Sequence, residues 1–311
     1  MDKVKLAIIL NPAARGEKAR LLEDKLRSLT AADTFLISSR PGEATQFARQ
    51  LGQDGYSAIV AAGGDGTINE VVNGIAGLDV TLGIFPMGTM NVFAYELGLP
   101  LHQLEQCWDI IRDGFTRPID LAIANDQYFV QLAGIGLDAL AVKETDLLVR
   151  KTIGPISYIF AAAQIIGRPA PRLEICFDEL ETMGGCFVLV GNGRLYGGSL
   201  PFFRDAKNDD GLLDVLVFKH QGYLDIIRYL QGVLVGNHVD FSDIEYRQIR
   251  SLRVISDRSI PVEIDGEVTF HTPAQFRIAP HQLRVYVPKE RGIATPGNTD
   301  IARIPGTLPS S

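Results

Sequence analysis

Residues Ala58–Glu70, AIVAAGGDGTINE, decide the fold. Five apolar residues, Ala58–Ala62, end on Gly63-Gly64-Asp65-Gly66-Thr67, and Ile68-Asn69-Glu70 open a helical run that continues to Ile75. An unbroken apolar run of this length fits a parallel strand covered on both faces. A glycine loop that leads from such a strand into a helix is where ligands sit in open α/β sheets. Consecutive glycines let backbone N–H groups approach a ligand, and the helix N-terminus adds a partial positive charge suited to phosphate.

The same pattern recurs on both sides. Val4–Leu10 (VKLAIIL) is a buried strand followed by Asn11-Pro12-Ala13-Ala14-Arg15-Gly16 and a helix over Glu17–Leu29 with a leucine stripe. Phe35–Ser38 and Glu43–Leu51 form the next strand and helix. Thr81–Phe85 leads into Pro86-Met87-Gly88-Thr89-Met90-Asn91 and a helix over Asn91–Leu97. One such loop is an ordinary turn. Three at successive strand ends point to a phosphate-binding α/β domain with a Rossmann-like open sheet. There is no GxxxxGK[ST], and Gly134-Ile135-Gly136 does not continue as a dinucleotide fingerprint, so the nucleotide site is of another type.

The second half changes character. Tyr128–Ala133, Arg172–Phe177, Cys186–Val190, Leu213–Phe218, Ser251–Ser256, Val262–Ile264 and Leu283–Val287 are short strands separated by turns, with helical patterns at Leu137–Val149, Ile156–Ile166 and Tyr223–Val235. The expected division is residues 1–125 as a nucleotide-binding α/β domain, 126–290 as a mainly antiparallel β-sandwich facing the acceptor, and 291–311 as a Gly/Pro/Ser-rich flexible tail. The active site is expected in the cleft between the two domains.

Composition excludes several classes. The chain has 311 residues, two domains' worth, and a formal charge of −7, which argues against a nucleic-acid partner. The longest uncharged stretches, Val80–Tyr95 and Thr152–Gly167, fall short of the ~18 apolar residues that suggest a membrane span. Cys107, Cys176 and Cys186 make no CxxC pair and read as free thiols, and the five histidines show no HExxH spacing. A cytoplasmic protein is expected, and nothing in the sequence fixes its oligomeric state, although a homodimer is compatible with it. Ile153–Ile166, flanked by Arg150, Lys151, Arg168 and Arg172, reads equally as a core helix or as a segment lying on the inner membrane face.

Asp65 stands among glycines. A carboxylate beside phosphates repels them unless a cation lies between, so Asp65 implies Mg²⁺; the plainer reading is a helix cap. Asp265-Gly266 is by itself a strong hairpin-turn signal, and such a turn can present Glu267 to the cleft.

Taken together, Asn-Pro-x-x-x-Gly, GGDGT-x-N-E and P-x-G-T-x-N-x-x-A resemble the diacylglycerol kinase catalytic family. Ser38–Ala44, Arg117-Pro118-Ile119-Asp120-Leu121, Asp209–Asp214 and Ile264–Glu267 resemble further elements of that family, so the likeness spans nearly the whole chain. It implies an ATP-dependent kinase that phosphorylates a lipid hydroxyl, such as that of diacylglycerol, at a membrane surface. By the same resemblance Asn11, Ser39, Gly63, Gly64, Asp65, Gly66, Thr67, Ile68, Asn69, Glu70, Gly88, Thr89 and Asn91 surround ATP. Glu267 is the proton acceptor ahead of Asp65, and Lys207, Asp210 and Leu212 hold a structural Mg²⁺. Arg204 and Leu200-Pro201-Phe202-Phe203 depart from the family pattern, at the acceptor pocket. The competing readings are an NAD kinase-like enzyme, sharing GGDGT, and a nucleotide-binding regulatory protein without catalysis.

Overall fold

The structure is a computed structural model that describes residues 5–12, 17–30, 32–137, 139 and 169–289. Strands β1 (Leu6–Leu10), β2 (Thr34–Ile37), β3 (Ala58–Gly63) and β4 (Thr81–Pro86) are parallel, in the order β2-β1-β3-β4. Helices α1 (Glu17–Leu29), α2 (Glu43–Gln53), α3 (Asp65–Ile75), α4 (Val92–Glu96) and α5 (Leu104–Asp113) lie between and after them. Alternate residues of β3 feed opposite cores. Ile59 and Ala61 pack with α2, α3 and α4, whereas Ala58, Val60 and Ala62 pack with α1 and α5. Burial on both faces is why the strand carries no polar side chain.

Strands β5 (Thr116–Ala124), β6 (Gln127–Phe129) and β7 (Leu132–Ile135) begin the second half. They are followed by β8 (Leu173–Phe177), β9 (Glu181–Gly185), β10 (Phe187–Gly191), and the short hairpin β11 (Leu195–Tyr196) and β12 (Leu200–Pro201). Then come β13 (Leu213–Phe218), helix α6 (Tyr223–Val235), β14 (Ile244–Ile249), β15 (Ser251–Ser256), β16 (Pro261–Ile264), β17 (Glu267–His271) and β18 (Ala274–Tyr286). An antiparallel sheet ordered β14-β13-β10-β7-β16-β17 packs on β18-β15-β8-β9 and β5 through Phe129, Ile175, Val188, Val215, Val254 and Phe276. Its other face is covered by α6, through Ile226, Tyr229 and Val233. The architecture is an α/β domain with a parallel sheet followed by an antiparallel β-sandwich.

One strand joins the halves. β18 runs antiparallel to β5, and near its end Arg284 and Val285 pair in parallel with Thr81 and Leu82 of β4. The parallel sheet therefore continues into the sandwich, and the strand expected over Leu283–Val287 is the end of the longer β18, which stops at Tyr286. Tyr128–Ala133 is also not one strand. The N–H groups of Val130, Gln131 and Leu132 donate to the Asp265 carboxylate, which interrupts the ladder between β6 and β7.

The helix after the glycine loop starts earlier than its apolar spacing indicated. Gly64 is its N-cap, and its carbonyl takes the first helical bond, from Ile68 N at 3.1 Å. Asp65 is therefore inside the first turn. The three cysteines are free, and Cys176 stands opposite Thr182 and Arg253 instead of Cys186. Among the described residues no helix is long and apolar enough to cross a membrane. The expected helices over Leu137–Val149 and Ile156–Ile166, the basic apolar segment around 153–166, and the tail 291–311 lie outside the described residues, apart from Leu137 and Ala139.

Candidate active site

The glycine loops meet at the end of the parallel sheet. A Cβ on Gly88 would lie 2.5 Å from the Cα of Gly64, and one on Gly64 would lie 3.1 Å from the Cα of Gly88. Only glycine at both positions allows this backbone approach. Met87 N donates to Gly63 O at 2.8 Å, and Asn11 N donates to Ala62 O at 2.9 Å, so all three loops are gathered at the tips of β1, β3 and β4. Asn91, fully buried with φ +48°, accepts from Gly88 N and donates to Gly88 O, each at 2.8 Å, and so fixes the third loop.

Asp65 points from the first turn of α3 to the start of α4, where its Oδ1 accepts from Phe93 N at 3.4 Å. Burial, reinforced by the negative charge of Asp265, pushes its pKa up to about 6, against the backbone N–H groups of Phe93, Val92 and Asn91. Asp265 comes from the sandwich. With Gly266 it makes a hairpin turn in which both residues have positive φ, +47° and +91°, as in a type I′ turn. Its carboxylate accepts from Asn69 Nδ2 (2.7 Å), Val130 N (3.1 Å), Gln131 N (3.1 Å) and Leu132 N (3.0 Å), while burial raises its pKa. The same turn brings exposed Glu267 to the glycine loop, its Oε1 3.0 Å from where a Cβ on Gly66 would stand.

Other expected site residues have definite places. Ser39 donates through N (2.7 Å) and Oγ (3.1 Å) to Glu43 Oε2, which holds the Glu43 carboxyl low. Glu70 Oε2 accepts from Ala44 N at 3.1 Å in the first turn of α2. Asn69 donates to Tyr128 O (3.1 Å) as well as to Asp265. Thr67 and Ile68 are buried in α3, and Thr89 is exposed on the third loop. The structure thus brings Asp65, Gly66, Gly88 and Glu267 together, while Ser39, Asn69, Glu70 and Asn91 turn side chains toward neighbouring protein groups.

A cleft between the halves is lined by Asp65, Met90, Val92 and Phe93 on one side and by Gln131, Leu195, Tyr196 and Gly266 on the other. It is open to solvent, with about 580 Å³ of empty space once the open part is included. Its wall is mainly apolar with few polar groups, and Asp65 is one of them.

Residues 5–124 match the Diacylglycerol kinase catalytic domain family, and residues 132–287 match the YegS C-terminal NAD kinase beta sandwich-like domain. A Diacylglycerol kinase of Bacillus subtilis (strain 168) is 32% identical over 254 residues, covering 80% of this chain and 84% of the relative. The chain belongs to the diacylglycerol kinase family. Its members are phosphotransferases with an alcohol acceptor. A diacylglycerol kinase of Staphylococcus haemolyticus (strain JCSC1435) is 31% identical over 291 residues, 91% of this chain and 88% of its own. The structure of a candidate diacylglycerol kinase from Bacillus anthracis str. Sterne superposes with a TM-score of 0.78 at 26% identity, covering 91% of this chain and 95% of that one.

In this diacylglycerol kinase family member the acidic loop Asp209–Asp214 docks on the domain junction. Buried Asp120 accepts from Gly211 N at 2.6 Å and from Gln282 Nε2 at 2.7 Å. Asp210 is exposed and accepts from Leu212 N at 3.1 Å. Asp214 is fully buried, with Oδ2 unpartnered, and burial lifts its pKa to about 6, with Asp210 and Asp205 adding to the rise. Among the described residues no three His, Cys, Asp or Glu side chains gather to hold a metal ion, so a cation at this turn would rest on Asp210 and backbone carbonyls. Lys207 is exposed at the start of this loop.

Several functional positions escaped sequence reasoning. Asn73 exchanges bonds with Tyr128, Nδ2 to O at 2.9 Å and N to Oδ1 at 3.0 Å. Glu96 and Gln131 meet at 3.1 Å beside the cleft. Each is a polar residue paired with a partner 35 or more positions away, and no local pattern marks it.

Proposed function

We propose that this chain transfers the γ-phosphoryl group of ATP to the free hydroxyl of diacylglycerol, with the nucleotide on the glycine loops and the lipid head in the adjoining cleft. The observation that carries this reading is the position of Asp65, which borders both the Gly64–Gly88 contact and the mainly apolar cleft. Backbone N–H groups of residues 64–67 and of Thr89 hold the phosphates at the N-terminus of α3. The hydroxyl oxygen attacks the γ-phosphorus, the bond to the β–γ bridging oxygen breaks, and the hydroxyl proton passes to a carboxylate.

That carboxylate is Asp65, in reversal of the order the family resemblance implies, which puts Glu267 first. A pKa of about 6 leaves it ionised at neutral pH yet basic enough to take a proton, as general-base efficiency requires. Glu267, exposed against Gly66, is the second candidate and the better placed of the two for the phosphate side of the loop. Mg²⁺ held by Glu267 would neutralise charge on the phosphates, and Asp210, with the carbonyls of Lys207 and Leu212, would hold a structural ion. The protein would work peripherally, from the cytoplasmic side, since its acceptor lies in a membrane.

Incubating the protein with [γ-³²P]ATP, Mg²⁺, diacylglycerol and NAD together tests this. Labelled phosphatidic acid is the expected product. Labelled NADP would instead favour the NAD kinase-like reading, and nucleotide binding without transfer would favour a regulatory protein.

A further inference from the structure

One wall of the cleft, the hairpin with Leu195 and Tyr196, is held by both halves of the molecule. Leu195 and Tyr196 belong to the β11–β12 hairpin, whose ladder consists of Leu195 opposite Pro201 and Tyr196 opposite Leu200. Even a longer isolated hairpin is marginal in water. Its position depends on what it is fastened to. From its own half it has Gln131 Nε2 donating to Leu195 O (2.9 Å), Phe203 N donating to Arg194 O (3.1 Å), and the Tyr196 ring edge-on to Phe202 at 5.0 Å.

The other half contributes Glu96. One oxygen, Oε2, accepts from Arg194 N (3.0 Å), Leu195 N (3.0 Å) and Gln131 Nε2 (3.1 Å). Two consecutive backbone N–H groups and a side-chain amide converge on one carboxylate, and hydrogen bonds to a charged acceptor are stronger than neutral ones. Glu96 ends α4, the five-residue helix whose first turn gives Phe93 N to Asp65 and whose Val92 and Phe93 line the cleft. A single rigid turn of helix therefore touches Asp65 at one end and the hairpin at the other.

We propose that Glu96 is a positioning residue for the lipid acceptor, latching the Leu195–Tyr196 wall to the nucleotide-binding half so that the cleft keeps its width beside Asp65. This rests on the reading of the cleft as the acceptor site. The latch acts on the acceptor's wall and leaves the glycine loops untouched, so its loss weakens acceptor binding and spares ATP.

The test is steady-state kinetics with dioctanoylglycerol and ATP varied separately, on wild type, Glu96→Ala and Glu96→Gln. Glu96→Ala is expected to raise the acceptor KM about tenfold or more, with kcat and the KM for ATP within about twofold. Glu96→Gln, which keeps an acceptor oxygen without the charge, is expected to fall between. An unchanged acceptor KM in a folded variant overturns the proposal. So does a parallel change in both KM values and kcat, which marks a merely structural residue. Should Glu96→Ala not fold, Glu96→Gln is judged by the same criteria, and failure of both to fold makes Glu96 a folding determinant and refutes the latch. A wild type that does not phosphorylate dioctanoylglycerol contradicts the lipid-kinase reading instead.

Discussion

Asn69 Nδ2 donates to Asp265 Oδ2 at 2.7 Å across 196 positions of sequence, tying the helix that begins at Asp65 to the turn that presents Glu267. The bond fixes the two carboxylates of the candidate site relative to each other. Asn69→Ala leaves a desolvated carboxylate one donor short. The expected result is a loss of stability of about 1.5–3 kcal/mol in denaturant unfolding. The expected kinetic loss in kcat/KM exceeds that of an exposed control such as Gln50→Ala, because the carboxylates shift apart. Equal kcat/KM in wild type and Asn69→Ala would contradict the tie.

Asp65 gives activity and stability opposite dependences on pH. Its pKa rises from 3.8 in the unfolded chain to about 6 in the folded one. The folded state binds the proton more tightly, so Asp65 costs no stability below about pH 4. Its cost grows as pH rises toward 6 and is complete above that. Transfer to the acceptor needs the ionised form, so kcat/KM is expected to fall about tenfold per pH unit below about pH 6. Asp65→Asn removes the cost of ionisation. Its melting midpoint is expected to exceed that of wild type by roughly 2–4 °C at pH 7.5 and to match it near pH 4, while turnover drops by about 10²–10⁴.

Gly88→Ala probes the phosphate cradle. The added Cβ would stand 2.5 Å from Gly64 Cα and 2.8 Å from Asn91 Oδ1, so the loops must separate. ATP binding measured by calorimetry is expected to weaken at least about tenfold, with the fold retained by far-ultraviolet circular dichroism. Gly42, with no atom within 4 Å of its Cβ position, stands outside this contact, and Gly42→Ala is the control, at the cost of its φ of +80°.

Much of this was legible in the chain itself. The parallel strands and their loops show because burial on both faces forces unbroken apolar runs such as Ala58–Ala62, and because close backbone approach forces glycine at 64 and 88. β18 was legible only at its end, since the register that carries it from the sandwich to Thr81 and Leu82 is set by long-range pairing. Tyr128–Ala133 read as one strand because its interruption is caused by Asp265, more than 130 positions away. Glu96 has the same origin. A glutamate at the end of a short helix looks solvated until the hairpin at Arg194–Leu195 is folded onto it.

The acidic loop supplies a prediction about metal. Mg²⁺ at Asp210 would relieve the crowding of Asp205, Asp210 and Asp214 and stabilise the folded state by mass action. The melting midpoint of the wild type is expected to rise with millimolar Mg²⁺ and to fall back with EDTA. Asp210→Asn is expected to show a smaller Mg²⁺ response. An identical response in the variant would place any bound ion elsewhere.

The most direct test is a single turnover of [γ-³²P]ATP with dioctanoylglycerol by the wild type, Asp65→Asn and Glu267→Gln. The expected result is labelled lipid phosphate from the wild type, a loss of about 10²-fold or more for Asp65→Asn with ATP still bound, and a smaller loss for Glu267→Gln. Undiminished transfer by Asp65→Asn would contradict Asp65 as the proton acceptor.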